Sequence, residues 1–353
     1  MSLRVACAVV AGALIGFSSA HAADKKIIYN LTSPTPTVGE APHSSVPAIL
    51  GYWKEAGLDV EVHPTSGSTQ AVQLVAAGTS NFTMATVEPL IIGKQKGGKV
   101  VAIYNHSRAP IYTIAVQADS PIKQLEDLKG KRIGVLSLSS GAVPFSKAML
   151  SSVGVEPEKG VTWLPTGIGP QSVHAIKSGQ VDALAYWDWA YAMMENAGVT
   201  LRHFTTPATK DVLSLAIVAN EEFIAANSEA TMKFAQGIAK AALFTITNPE
   251  AAVRIHWEKY PQSKPSGLPE DQALREATHI LKARLEKYRI DNREVPRWGA
   301  FTAKEWNATQ DFLIDSKLIT EKRDVSIYYT EKFLDQVNAF DQKAVIDRAG
   351  AYK

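Results

Sequence analysis

The chain has 353 residues, with 37 Lys and Arg against 35 Asp and Glu, a formal net charge of +2. That balance supplies no electrostatic pull toward nucleic acid or an anionic membrane surface. The single cysteine, Cys7, lies in the N-terminal apolar run, so disulfides, thiolate nucleophiles and cysteine–metal sites are excluded from everything after it.

Arg4, the apolar stretch Val5 to Phe17 and the small-x-small site Ala20-His21-Ala22 predict an export signal over residues 1–22, cleaved near Ala22. The stretch is shorter than the roughly 20 residues a membrane span requires; an uncleaved anchor is the alternative. Cys7 precedes most of the apolar run, where a lipoprotein cysteine would not sit. The expected product is periplasmic.

Lys26 to Leu31 predicts a first strand, followed by a Pro/Thr-rich loop from Ser33 through His43. Ser45 then caps a helix with Pro47 in its first turn, which ends at Gly57. Strands at 58–63, 82–85 and 100–104 alternate with helices at 68–77 and 88–96. The pattern restarts after a long apolar strand at 111–116 and a short linker helix near 120–130. Strands at 132–136, 161–164 and 183–186 then alternate with helices at 142–152, 170–178 and 187–196. A second long apolar strand, 212–219, precedes a mostly helical tail with segments near 228–247, 268–286 and 302–317. Strand–helix alternation with short glycine turns predicts α/β units and mainly parallel sheet.

One passage occurs twice. Gln70 to Asn81 returns as Gln171 to Asp182, with Gly78 opposite Gly179, and a short apolar strand follows each copy. Thr86-Val87-Glu88 then stands opposite Trp187-Asp188-Trp189. The duplication predicts two similar lobes facing each other: 23–111 plus 220–353 with the helical tail packed on it, and 117–211. Strands 112–116 and 212–219 are expected to cross between them as a hinge. A single long parallel sheet with a helical appendix is the alternative.

The run Gly51 to Val62, the Gly67-Ser68-Thr69 turn and the Ala76-Ala77-Gly78 turn ending at Phe82 resemble the periplasmic substrate-binding proteins of ABC importers. Leu125 to Val135 and Lys177 to Ala183 are similar to the same family, in the branch serving nitrate, alkanesulfonates, taurine and thiamine-pyrimidine precursors. The resemblance spans about residues 26–245. It implies the two-lobed type II periplasmic-binding-protein fold, a monomeric receptor without a cofactor, a small-molecule ligand and an inner-membrane ABC permease as partner. Fungal and plant pyrimidine-precursor synthases share the strand and turn patterns, but they carry a cysteine-rich iron motif that this sequence lacks.

In open α/β sheets ligands sit beyond the carboxyl ends of strands, where helix N-termini offer free N–H groups. Those positions hold Ser68 and Thr69, Thr86 and Glu88, Ser139, Ser140 and Gly141, and Tyr186, Asp188 and Trp189. Helix capping is the plain explanation for each hydroxyl, and core packing for Trp187 and Tyr191. Trp163 closes the same pocket or packs in the core. His43 and His106 line the first wall or are simply solvated, and no histidine spacing predicts a metal site. Glu88 facing Asp188, with no cation in the four loops, favours an organic, aromatic or heterocyclic ligand. A small oxyanion such as a sulfonate or nitrate is the alternative. No catalytic motif is present, and the expected role is binding.

Overall fold

The computed structural model describes residues 24–288 and 297–352. The expected signal segment, with Cys7, lies outside the described residues.

Ten strands run in chain order among the described residues. β1 (Lys25–Asn30), β2 (Leu58–His63), β3 (Phe82–Thr86) and β4 (Val100–Asn105) belong to a first sheet. β5 (Tyr112–Gln117), β6 (Arg132–Val135), β7 (Thr162–Pro165), β8 (Ala183–Trp187) and β9 (Leu201–Phe204) form a second. β10 (Leu215–Asn220) returns to the first. The orders are β2-β1-β3-β10-β4 and β7-β6-β8-β5-β9. They superpose position by position, with β3 matching β8 as the duplicated passage requires. We call each sheet with its helices a lobe.

The single-sheet alternative is thereby excluded. The hinge expectation is corrected as well. The long apolar runs do not bridge the lobes: β5 pairs antiparallel with β8 and β9, and β10 antiparallel with β3 and β4. Apolar segments of this kind need partners for every backbone N–H and C=O, and a mid-sheet position supplies them on both edges. The chain passes between lobes at 106–111 and 205–214. The two passages touch where the Ile111 N–H donates to Ser214 Oγ at 3.2 Å and the His106 N–H to the Leu215 carbonyl at 2.8 Å.

The tail is also placed differently from expectation. Helix Ser228–Thr247 packs on the first lobe, where Phe234 stacks between Trp53 and Phe82 with centroids 5.3 and 4.4 Å away. Helix Glu270–Leu285, however, lies against both the 3-10 helix Val38–His43 of the first lobe and helix Asp188–Asn196 of the second. Helix Ala303–Asp315 reaches the second lobe too, with Phe312 5.3 Å from Phe145. The tail packs on both lobes rather than on the first alone: Leu274 and Leu281 join the core around Val38 and Ala41, while Asn196 Nδ2 of the second lobe donates to the Glu276 carbonyl at 3.0 Å and Phe312 meets Phe145. Among the described residues, no helix is long and apolar enough to cross a membrane.

Candidate functional site

The strand ends of the two sheets meet edge to edge, and glycines set how closely. The Thr69 N–H donates to the Ser139 carbonyl across the seam at 3.1 Å, and Ser137 Oγ donates to the Ser66 carbonyl at 2.6 Å. A Cβ on Gly67 would stand 2.6 Å from the Ser139 carbonyl oxygen. One on Gly141 would stand 2.5 Å from Thr86 Oγ1 and 2.6 Å from the Tyr112 hydroxyl, and one on Gly39 would overlap the indole of Trp189. These approaches are open only to residues without side chains.

Behind the seam lies a narrow space between the lobes. The first lobe contributes Thr32, Ser33, Glu40, His43, Ser68, Met84 and Leu215 to its walls. The second contributes Tyr112, Ser140, Trp187 and Trp189, and the tail contributes Arg284. Aromatic walls with a few polar groups are the usual make-up of a small-molecule pocket.

Buried ionisable groups set its electrostatics. Glu40 Oε2 accepts from Ser33 Oγ at 2.6 Å and from the Thr37 N–H at 3.2 Å. Burial raises its pKa to about 7, with those hydrogen bonds pulling the other way. His43 Nδ1 pairs with the Tyr29 hydroxyl at 2.8 Å, and burial lowers its pKa to about 3, so the ring is neutral at neutral pH. His106 stands edge-on to His43 at 5.2 Å and pairs with the Tyr288 hydroxyl at 2.7 Å. Arg284 Nε and Nη2 both donate to Asp188 Oδ1, at 3.1 and 2.7 Å, and the Trp189 N–H donates to the same oxygen at 2.7 Å. Burial pushes the Asp188 carboxyl up, and Arg284 holds it down.

The expected site residues divide into four groups. Ser68, Ser140, Trp189 and His43 line the space. Thr69 and Ser139 bond to each other across the mouth. Thr86, Glu88 and Gly141 sit at the seam behind the lining: Thr86 Oγ1 and Glu88 Oε2 are buried without hydrogen-bond partners. Asp188 is not on the wall, because Arg284 stands in front of it and takes its carboxylate. Tyr186 is a correction. Its hydroxyl turns away to Thr166 Oγ1 at 2.9 Å and to the Gly167 carbonyl. Successive side chains of a strand point to opposite faces, so Tyr186 and Trp187 cannot share the cleft. Trp187 faces it, against the expectation of core packing. Tyr191 is core, its hydroxyl bonded to the Thr113 and Leu184 carbonyls, while Trp163 Nε1 donates to the Pro157 carbonyl, away from the space. His43 and His106 are both buried rather than solvated.

Sequence reasoning missed Arg284, Glu40 and Tyr112. Thr37-x-x-Glu40 has the spacing of a capping box, a legible sign that Glu40 folds back on its own helix start. Arg284 gave no sign.

A sequence profile described as "NMT1/THI5 like" matches residues 46–252, more than half of the chain. The protein belongs to the NMT1/THI5-like family. It is 23% identical over 267 residues to the formylaminopyrimidine-binding protein of Halalkalibacterium halodurans, covering 74% of this chain and 77% of that one. It is 23% identical over 232 residues to the 4-amino-5-hydroxymethyl-2-methylpyrimidine phosphate synthase of Candida albicans, covering 62% of this chain and 66% of that one. The alkanesulfonate-binding protein of Xanthomonas axonopodis pv. citri, solved with MOPS, superposes with a TM-score of 0.60 at 17% identity, over 89% of this chain and all of that one. The fold is therefore the periplasmic-binding-protein fold. The family resemblance and the α/β two-lobed fold read from the sequence are both confirmed.

In this NMT1/THI5-like protein Glu88 makes a pH prediction. Burial raises its pKa from 4.5 to about 7. The folded protein thus keeps a proton that the unfolded chain has released, and this contribution to stability, full below about pH 4.5, is lost as pH rises through 7. Glu88→Gln should exceed the wild type in stability by up to about 3 kcal/mol at pH 8 and by little at pH 4. Urea unfolding at the two pH values measures the difference, and an equal effect at both refutes it.

Proposed function

We propose that this NMT1/THI5-like protein is an exported, monomeric solute receptor. It captures a small organic ligand with a flat aromatic or heterocyclic ring between its lobes and delivers it to an ABC permease. The observation that carries this reading is the cleft itself: two sheets of identical strand order whose matched loop ends enclose one space, walled by Trp187 and Trp189. An indole face suits a flat ring, and the Glu40 carboxyl suits a ring N–H or amine. Ligand binding would hold together lobe one, residues 23–111 with 220–353, and lobe two, residues 117–211. They would turn about the passages at 106–111 and 205–214.

Arg284 is the observation on the side of an oxyanion ligand. Its charge is already offset by the Asp188 carboxylate, 2.7 Å away, which leaves the organic reading ahead.

A thermal-shift screen with heteroaromatic solutes, amino acids and sulfonates tests the reading, since a ligand that binds only the folded chain raises its melting point, by about 2.7 kcal/mol of stability at one hundred times Kd. At least one flat heteroaromatic solute should do so. Turnover of a substrate with no stabilising solute would favour an enzyme instead.

A further inference from the structure

Among the described residues the cleft wall carries one arginine, and its Nε/Nη2 edge is turned inward. Arg284 ends the helix Glu270–Leu285 and is 3% exposed. Two of its three nitrogens bond to one oxygen of Asp188, the first residue of helix Asp188–Asn196 in the opposite lobe. The other carboxylate oxygen, Oδ2, is buried with no partner. The other ionisable side chains on the wall, among the described residues, are Glu40, His43 and Tyr112, and none of them is a cation at neutral pH.

A guanidinium offers planar, paired donors that match sulfonate, phosphate and carboxylate oxygens. An arginine set free in a closing aromatic cleft would make an oxyanion site. Here Asp188 takes two of the five N–H donors, those on the Nε/Nη2 edge, and offsets the guanidinium charge from behind the wall, without lining the space itself.

We infer that Asp188 is the residue that sets ligand charge: by occupying Arg284 it makes the cleft refuse oxyanions and leaves selection to the indoles and Glu40. The inference rests on reading the cleft as a ligand site, though not on knowing the native solute. Its failure is separable from failure of the receptor reading. The probes are methanesulfonate and inorganic sulfate, and the outcome does not depend on whether the solute screen finds a ligand.

The test compares four full-length chains: the wild type, Asp188→Asn, Asp188→Ser and the double variant Asp188→Asn/Arg284→Met. Binding of methanesulfonate and of sulfate is followed by calorimetry and thermal shift. The wild type should bind neither. Each single Asp188 variant should gain affinity by at least about tenfold and be stabilised by the anion, because the guanidinium charge is no longer offset by a carboxylate. The double variant should lose that gain. Three results would overturn the inference. In the first, the wild type binds methanesulfonate as tightly as Asp188→Asn. In the second, the single variants fold and bind no anion, or the double variant keeps the gain. In the third, neither single variant folds with or without sulfate, which would assign the pair to structure alone.

Discussion

Gly141→Ala should leave the fold intact and disable the cleft. Gly141 has helical backbone angles (φ −63°, ψ −19°), which alanine adopts without strain. The new methyl would meet Thr86 Oγ1 of the first lobe at 2.5 Å and the Tyr112 hydroxyl at 2.6 Å, and Ser68 Cβ at 3.1 Å. Thr86 and Ser68 belong to the opposite lobe, so those two contacts exist only when the lobes are together, whereas the Tyr112 hydroxyl belongs to the same lobe as Gly141 and has to turn aside in either state. Overpacking of a tight interface costs about 1–3 kcal/mol. That corresponds to a solute affinity weakened by about 5- to 150-fold. Calorimetry with a solute from the screen reads the affinity. Intrinsic fluorescence should shift to the red as Trp189 leaves the backbone of Gly39, which it now covers. Unchanged affinity and emission would show that the seam does not close on the ligand.

Arg284→Met should be the most destabilising of the single changes at the site. It leaves the Asp188 carboxylate, 3% exposed, with the Trp189 N–H as its remaining hydrogen-bond partner among the described residues. Removing one member of a buried ion pair costs about 3–5 kcal/mol, because the other charge stays out of water. The pH dependence has a definite sign. Burial already raises the Asp188 pKa, and losing the guanidinium raises it further. The folded variant then holds a proton that the unfolded chain releases, so the damage grows as pH rises above the ordinary aspartate range and shrinks in acid. Adding Asp188→Asn should recover at least half of the loss at pH 7, since no unpaired charge remains. Denaturant unfolding of both variants at pH 4 and pH 7 measures this, and a loss independent of pH, or no recovery in the double variant, contradicts it.

Local signals carried most of the fold. The alternation Leu58-Asp-Val-Glu-Val-His63 gives β2 at its full extent, and the helical period over 142–152 and 228–247 gives those helices to the residue. The repeat around Gly78 and Gly179 reflects two equivalent strands, β3 and β8, at the same place in each sheet. β9 was not legible: Leu-Arg-His-Phe is short, and as an edge strand it alternates poorly between faces. The destinations of the two long apolar runs were not legible either, because an apolar run states that a strand is buried and not in which sheet.

The site was half legible for the same reason. Ser68, Ser140 and Trp189 follow from their own strand ends, and the rule for α/β sheets finds them. Arg284 comes to the cleft through packing of the tail, 96 residues beyond its partner Asp188, and no local pattern encodes that. Glu40 was obscured by the proline-rich composition around it, which suggested an open loop where the chain forms a buried 3-10 helix. The paired acids Asp188 and Glu88 pointed to the right region with the wrong chemistry. One is neutralised by Arg284, and the other stands at the seam with its proton held by burial.

Hydrogen–deuterium exchange, with and without a stabilising solute from the screen, addresses the location of the site most directly. Protection should concentrate at Gly39 to His43, Ser140 to Ala142 and Trp187 to Trp189, segments brought together only where the two sheets face each other. Protection confined to an outer surface, with these three segments exchanging as before, would contradict a ligand held between the lobes.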